Sequence, residues 1–384
     1  MAGSALNPVV VLGATGSIGA QTLEVADRHG YPVAAIAAGH VSPAFLELVE
    51  RYPDARAAVA GEPDTPLEGQ AGSRIEFGAD AVAALARIPA STVVNGIVGA
   101  AGLESSLSAL EAGNRLALAN KESLLVGGPL VLDALSHGTG ELIPVDSEHS
   151  AIWQCLAGEP TGSVRRVILT ASGGPFHGRP EVDLAAVTVD QALAHPTWDM
   201  GQRITIDSAT LMNKAFEVIE AHFLFDLQYD QIDVVIHPTS YVHSLVEFVD
   251  GVVKAELGPP DMRKPIQRAL TAPGRLPAPS GPLDLVGVDV RFDEPDRARF
   301  PALDLGYRAG RRGGNGPAVL NAADEVAVDA FLNRRIRFDE ISGVVGEALD
   351  AVPEAPIGTL AEALAADAAG RAAAAEAVRA KVDG

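Results

Sequence analysis

The feature that most constrains this chain is an apolar run that breaks directly into a glycine turn. PVVVL (8–12) leads into Gly13-Ala14-Thr15-Gly16-Ser17-Ile18-Gly19, and an amphipathic pattern follows through about Arg28. A strand, a tight glycine turn and a helix in that order form the first half of a βαβ unit. The turn lets a pyrophosphate approach the backbone, and the helix start offers free N–H groups and a positive dipole end. The spacing is GxxGxxG rather than GxGxxG, so an ordinary strand–helix turn is the alternative, and the surrounding βαβ pattern weighs against it.

That pattern continues downstream. VAAIAA (33–38), RAAVA (56–60), TVVNGIVG (92–99), RLALANKE (115–122) and ELIPVD (141–146) read as strands separated by helical patterns. Their apolar runs are continuous rather than alternating, as strands covered on both faces require. Residues 1–146 are therefore expected to form a Rossmann-like parallel sheet domain of α/β class. Beyond residue 147 the pattern mixes. VRRVILTASGGPF reads as a strand ending in a glycine turn, HPTWDMGQR as a loop and DSATLMNKAFEVIEAHFLF (207–225) as one helix. IDVVIHP and HSLVEFVDGVVKAEL read as strands, the second with an Asp-Gly turn. This predicts an α+β catalytic domain over 147–270. The Pro- and Gly-rich stretch 271–300 reads as an extended linker, and Ala-rich 301–384 as a C-terminal helical bundle.

Charge narrows the function. The chain has 384 residues with 29 basic against 50 acidic ones, a formal charge of −21. Long-range repulsion argues against a nucleic-acid partner, and a phosphorylated small molecule would need a local basic pocket. There are only five lysines, which gives each lysine inside a motif more weight. No apolar run approaches the ~18 residues of a membrane span, and no basic segment precedes an apolar one at the start. A cytoplasmic protein without a membrane partner is expected. The single cysteine, Cys155, leaves no disulfide framework and no multi-cysteine zinc site.

Several polar groups interrupt the apolar pattern. No Asp or Glu follows the second strand, where an NAD site usually places one; Gly39-His40-Val41-Ser42 stands there instead, which favours NADP. Asn120-Lys121-Glu122 follows the strand RLALA, at the sheet end where ligands bind, or starts a helix with a surface ion pair. Asp146 and Glu148 end another strand, and period-2 alternation puts them on one side. A divalent cation between them would relieve their repulsion, oxygen ligands favouring Mg²⁺ or Mn²⁺; two solvated acids are the alternative. On the helix 207–225, Asn213, Lys214 and Glu217 fall within one arc opposite the stripe Met212, Phe216, Ile219 and Phe223. Glu217 could complete the metal site and Lys214 could hold an anion, or the two could form a surface pair; Glu220 lies near the same face. Ser172-Gly173-Gly174 and Ser208 could donate to phosphate oxygens or serve as turn and cap residues.

These segments, taken together and in order, resemble the 1-deoxy-D-xylulose 5-phosphate reductoisomerase family. The matching stretches are GATGSIG (13–19), ANKES (119–123), PVDSEHSAI (144–152), SGGPF (172–176), HPTWDMG (195–201), DSATLMNKAFE (207–217), HPTSYVHS (237–244), PDMRKPI (260–266) and NAADE (321–325). The resemblance implies an NADPH-binding domain, a catalytic domain, a C-terminal helical domain and a homodimer. It implies conversion of 1-deoxy-D-xylulose 5-phosphate to 2-C-methyl-D-erythritol 4-phosphate with NADPH and Mg²⁺ or Mn²⁺. Carried over by motif, Asp146, Glu148 and Glu217 bind the metal. Lys121, Glu148, His195 and Trp198 serve catalysis. The substrate meets Lys121, Ser147, Glu148 and Glu217 along its backbone and metal-bound oxygens, and Ser172, His195, Ser208, Asn213 and Lys214 at its phosphate. Thr15, Gly16, Ser17, Ile18, Gly39, Asn120, Glu122 and Gly201 contact the cofactor, and residues 193–202 form a lid. The chain departs from the family at Gly39-His40-Val41, where Gly-Lys-Asn is frequent, and at Ala215, Thr239 and Tyr241. Those departures keep two alternatives open, a divergent paralogue reducing another phosphorylated sugar and a non-catalytic NADP-sensing protein.

Overall fold

A computed structural model of the chain describes residues 6–62, 72–194 and 200–383. The chain divides into two compact units. The first comprises the residues up to Ser123 with Leu130–Ser150 and Asp261–Gly281; the second comprises Leu124–Pro129, Ala151–Pro260 and the residues from Pro282 onward. The sequence boundaries fell at 146, 270 and 300. The segment Asp261–Gly281 thus lies in the first unit, and the C-terminal helices share the second unit with the α+β region.

In the first unit, β1 (Val9–Leu12), α1 (Ser17–His29), β2 (Val33–Ala38), α2 (Pro43–Arg51), β3 (Arg56–Val59), β4 (Ile75–Phe77) and α3 (Ala79–Leu85) follow one another. Then come β5 (Thr92–Asn95), α4 (Leu103–Glu111), β6 (Arg115–Leu118), α5 (Glu122–His137) and β7 (Glu141–Pro144). All seven strands pair in parallel in the order β4-β3-β2-β1-β5-β6-β7. The chain winds outward from β1 and then resumes on its other side at β5, so the switch point, where such sheets bind ligands, falls between these two strands. Val9 to Leu12 are fully buried, as the continuous apolar run requires.

Two strand readings were too long, for a shared reason. RLALANKE stops being a strand at Leu118, and Glu122 opens α5. ELIPVD stops at Pro144, and Ser147 opens α6 (Ser147–Leu156). In both, a polar residue ends the apolar run and starts a helix. Glu148 is therefore helical, and the period-2 argument that set it beside Asp146 does not apply. Asp146 instead precedes the helix, its carbonyl accepting from the Ser150 N–H.

The second unit holds β8 (Val164–Ala171), the single turn α7 (Val189–Ala192), α8 (Gln202–Thr210), α9 (Met212–Phe225), β9 (Ile232–Ile236), β10 (Val242–Phe248) and β11 (Val253–Leu257). Its mixed sheet runs β11-β10-β8-β9, with β8 and β9 parallel and β10 antiparallel to both neighbours. After α10 (Arg263–Thr271) of the first unit, α11 (Ala302–Arg312), α12 (Gly316–Leu332), α13 (Ile341–Ala351) and α14 (Leu360–Asp383) complete the second. Its apolar core is continuous from β8 through α9 into these helices. Among the described residues, no helix is long and apolar enough to cross a membrane.

The expected single helix 207–225 is two helices. Leu211 has φ 66°, a left-handed conformation that ends α8 before α9 begins. Nothing in the local sequence marks the break, since neither Gly nor Pro is present; packing holds a leucine where it costs about 1–2 kcal/mol. Helix α9 also lacks a solvated face. Lys214, Glu217 and Glu220 are buried along with Met212, Phe216 and Ile219, because the helix lies against β8 and β9 and also against α11.

Candidate active site

In the first unit the turn after β1 leaves an open, uncapped helix start. Gly13 takes φ 81°, and a Cβ there would lie 2.6 Å from the Gly96 carbonyl oxygen. A Cβ on Gly19 would fall onto the Gly13 carbonyl and within 2.6 Å of Ala14 Cα, so the helix can sit this close to the strand only with glycine. Gly16 caps α1 in extended geometry without a side-chain cap, and the first turn holds no acid. Thr15, Gly16 and Ser17 are exposed and Ile18 is half-buried. The helix start thus faces solvent with its N–H groups and dipole end available to a phosphate. Gly39 and His40, just past β2, are exposed; Ser42 is committed to capping α2, accepting from the Phe45 N–H at 3.2 Å.

Asn120 and Glu122 are buried behind this rim rather than pointing freely outward. The Asn120 amide donates to the Ile97 carbonyl at 2.6 Å, the Gly99 carbonyl at 3.0 Å and Glu122 Oε2 at 2.8 Å. Its Oδ1 accepts from the Ser123 N–H at 3.0 Å, and Ser123 reaches Ser106 at 2.9 Å. Asn95, fully buried at the end of β5, donates to Ser106 Oγ and to the Gly102 carbonyl, both at 2.8 Å. This network fixes the loop 96–102 at the crevice, and sequence reasoning missed Asn95 and Ser106. The available signal was an asparagine at the end of one buried strand, β5, and another two residues past the end of its neighbour, β6.

Lys121 and Asp146 form an ion pair at 2.9 Å, each side chain about one-seventh exposed. The Ser147 hydroxyl donates to Glu148, and both residues are half-buried.

In the second unit, the Ser172-Gly173-Gly174 turn ends β8, with φ 82° and 66° at the two glycines. A Cβ on Gly174 would lie 2.8 Å from Ala209 Cα and 3.0 Å from the Ser208 carbonyl oxygen. The missing side chain lets the turn press against α8, which brings the Ser172 and Ser208 hydroxyls to 3.5 Å. Two residues beyond the Leu211 break, Asn213 donates to Glu217 Oε1 at 2.6 Å, and Lys214 pairs with the other oxygen of the same carboxylate. Of the two glutamates the sequence left open, Glu217 is bonded to both Asn213 and Lys214. Gly201 caps α8 and is exposed. His195 and Trp198, with the rest of 195–199 in the expected lid, lie outside the described residues.

Sequence reasoning gave no role to Arg203 in the first turn of α8. Its guanidinium donates to Glu325 Oε1 and Asn321 Oδ1, each at 2.8 Å, with Asp324 at 3.4 Å and Asp207 at 3.7 Å. Burial pushes the Asp324 carboxyl up to about 6, against the opposing pull of Arg203. The NAADE stretch was quoted without a function; an amide and two acids inside an otherwise apolar helix were the signal that could have found this site.

Family models for 1-deoxy-D-xylulose 5-phosphate reductoisomerase match residues 9–128, and models of its C-terminal domains match 142–225 and 257–373. The 1-deoxy-D-xylulose 5-phosphate reductoisomerase of Xanthomonas oryzae pv. oryzae (strain PXO99A) is 50% identical over 382 residues, 97% of this chain and 96% of its own. This chain belongs to that family. The solved enzyme from Zymomonas mobilis in complex with NADPH superposes with a TM-score of 0.90 at 39% identity, covering 97% of this chain and 99% of that one. A DOX-P reductoisomerase in complex with NADPH, fosmidomycin and magnesium gives a TM-score of 0.90 at 37% identity, covering 97% and 98%. The resemblance drawn from nine short motifs therefore holds across nearly the whole chain, in sequence and in fold.

Proposed function

We propose that this chain catalyses the NADPH- and divalent-metal-dependent conversion of 1-deoxy-D-xylulose 5-phosphate to 2-C-methyl-D-erythritol 4-phosphate, at the entry to non-mevalonate isoprenoid synthesis. The observation that carries this reading is half-identity, over 97% of the chain, with an enzyme of that name. The sites support it. The open glycine turn of Thr15, Gly16, Ser17 and Ile18 suits the cofactor pyrophosphate, with Gly39 beyond β2, Asn120 and Glu122 behind the crevice and Gly201 at the α8 cap completing the cofactor set. Absence of an acid after β2 suits the 2′-phosphate of NADPH.

Asp146, Glu148 and Glu217 would hold the cation; an all-oxygen donor set fits Mg²⁺ or Mn²⁺ and not a softer metal. When bound, the cation supplies Lewis acidity toward substrate oxygens and NADPH supplies the hydride. The protein's own groups bind and orient. Ser172, Ser208, Asn213 and Lys214 receive the phosphate, with His195 added by motif. Lys121, Ser147 and Glu148 lie along the substrate backbone, and Trp198 with the 193–202 segment excludes water.

The chain would act as a homodimer in the cytoplasm. Strand β11 supports self-association: it is an open sheet edge carrying exposed Val253 and Leu257, with exposed Val249 and Val252 in the preceding turn.

The test is direct. Protein, Mg²⁺, NADPH and 1-deoxy-D-xylulose 5-phosphate together should consume reduced nicotinamide, and excess chelator should stop the reaction until Mg²⁺ or Mn²⁺ is returned. No oxidation dependent on the sugar phosphate, or full turnover in excess chelator, would overturn the reading.

A further inference from the structure

We propose that Arg203 is a positioning residue that sets the spacing of the phosphate-binding hydroxyls through α8. This rests on the reading that Ser172 and Ser208 receive the substrate phosphate.

The geometry is specific. Arg203 touches three helices at once. On its own helix it faces Asp207 at 3.7 Å, and on α9 its guanidinium carbon lies 5.8 Å from the centre of the Phe216 ring. On α12 it is bonded to Asn321, Asp324 and Glu325. Asp324 is fully buried, and Glu325 is held in turn by Arg371 of α14, which also binds Asp367 at 2.7 Å. Only a planar, multiply donating cation satisfies an amide and several carboxylates from one point; an ammonium is a single compact charge.

The consequence runs along α8. Ser208 sits five residues after Arg203 on this nine-residue helix, and the Gly174 turn bears directly on Ala209 and Ser208. The Ser172–Ser208 separation of 3.5 Å therefore depends on where α8 lies, and Arg203 ties the start of α8 to α12. A shift of the helix by about 1 Å would part the two hydroxyls, and misplacement of that size can cost up to ~100-fold in a bound complex.

The experiment compares wild type, Arg203→Ala and Arg203→Lys. It reads melting temperature, the KM for 1-deoxy-D-xylulose 5-phosphate, the KM for NADPH and the Kd for fosmidomycin with Mg²⁺. Arg203→Ala leaves buried acids without their partner and is expected to melt lower. Arg203→Lys keeps the charge and should stay folded, so it carries the test. Its KM for the sugar phosphate and its fosmidomycin Kd should each rise about tenfold, with the KM for NADPH unchanged. An Arg203→Lys enzyme that melts lower yet keeps wild-type KM and Kd would show a purely structural role and overturn the proposal. If wild type binds fosmidomycin without turning over the sugar phosphate, the functional reading fails while the Kd comparison still decides the positioning.

Discussion

The glycine turn after β1 and the helix pair α8–α9, the two anion sites proposed above, are built in opposite ways. The first uses backbone alone. Gly13, Gly16 and Gly19 remove side chains so that a helix start can face its ligand, and the first turn carries no charge of its own. The second uses side chains. Two hydroxyls, an amide and a lysine are gathered from a glycine turn and two helices, and Lys214 is already buried against Glu217. A backbone site is cheap in charge and general for phosphates. A side-chain site can distinguish one phosphate ester from another, but it must be held together by buried charge. In a chain with a net charge of −21 the first device meets an anion with backbone dipoles alone, whereas the second brings a lysine whose charge is shared with the Glu217 carboxylate.

The largest effect should come from breaking the buried pair. Lys214→Met leaves the Glu217 carboxyl buried without its cation, which costs about 3–5 kcal/mol. Thermal melting should show the drop. The double change Lys214→Met with Glu217→Gln should recover most of it while turnover stays abolished. A single Lys214→Met variant that melts like wild type would mean that the pair does not support the helix.

The first site should break sterically instead. Gly19→Ala drives a methyl into Gly13 and Ala14 and should destabilise by about 1–3 kcal/mol, with weaker NADPH binding. Gly16→Ala meets only the Gly13 carbonyl at 3.3 Å, so its melting temperature should hold while NADPH affinity alone falls. Equal melting losses for the two variants would erase the distinction between glycine for packing and glycine for ligand approach.

The smallest effect sharpens the side-chain site. Ala215 departs from the family's usual glycine, and the structure shows what accommodates its methyl. A Cβ on Gly306 of α11 would lie 2.6 Å from Ala215 Cβ. Gly306→Ala should cost about 1–3 kcal/mol, and adding Ala215→Gly should return part of it, a coupling of at least ~0.5 kcal/mol measurable by a double-mutant cycle. Strict additivity would mean that the two residues do not share space.

What was legible in the sequence follows from how each region is built. The parallel sheet was readable because strands buried on both faces write continuous apolar runs, and the glycine turn because no other residue fits it. The side-chain site was readable only as a list of candidates. Its assembly depends on Leu211 in a left-handed conformation and on burial of the charged Lys214, Glu217 and Glu220 of α9, neither of which has a local signature. Asp146 and Glu148 were assigned to a strand because the apolar run does not announce where Pro144 ends it. Arg203 was passed over because its partners lie more than a hundred residues away in α12.

The central claim is that side chains of the second unit read the substrate's phosphate. The most direct measurement is the steady-state efficiency of the wild-type enzyme on 1-deoxy-D-xylulose 5-phosphate and on unphosphorylated 1-deoxy-D-xylulose, at saturating NADPH and Mg²⁺. Hydrogen bonds to a charged group contribute about 1.5–3 kcal/mol each, so two or more of them predict a kcat/KM at least about a hundredfold higher for the phosphorylated sugar. Comparable efficiency on the two sugars would contradict the account.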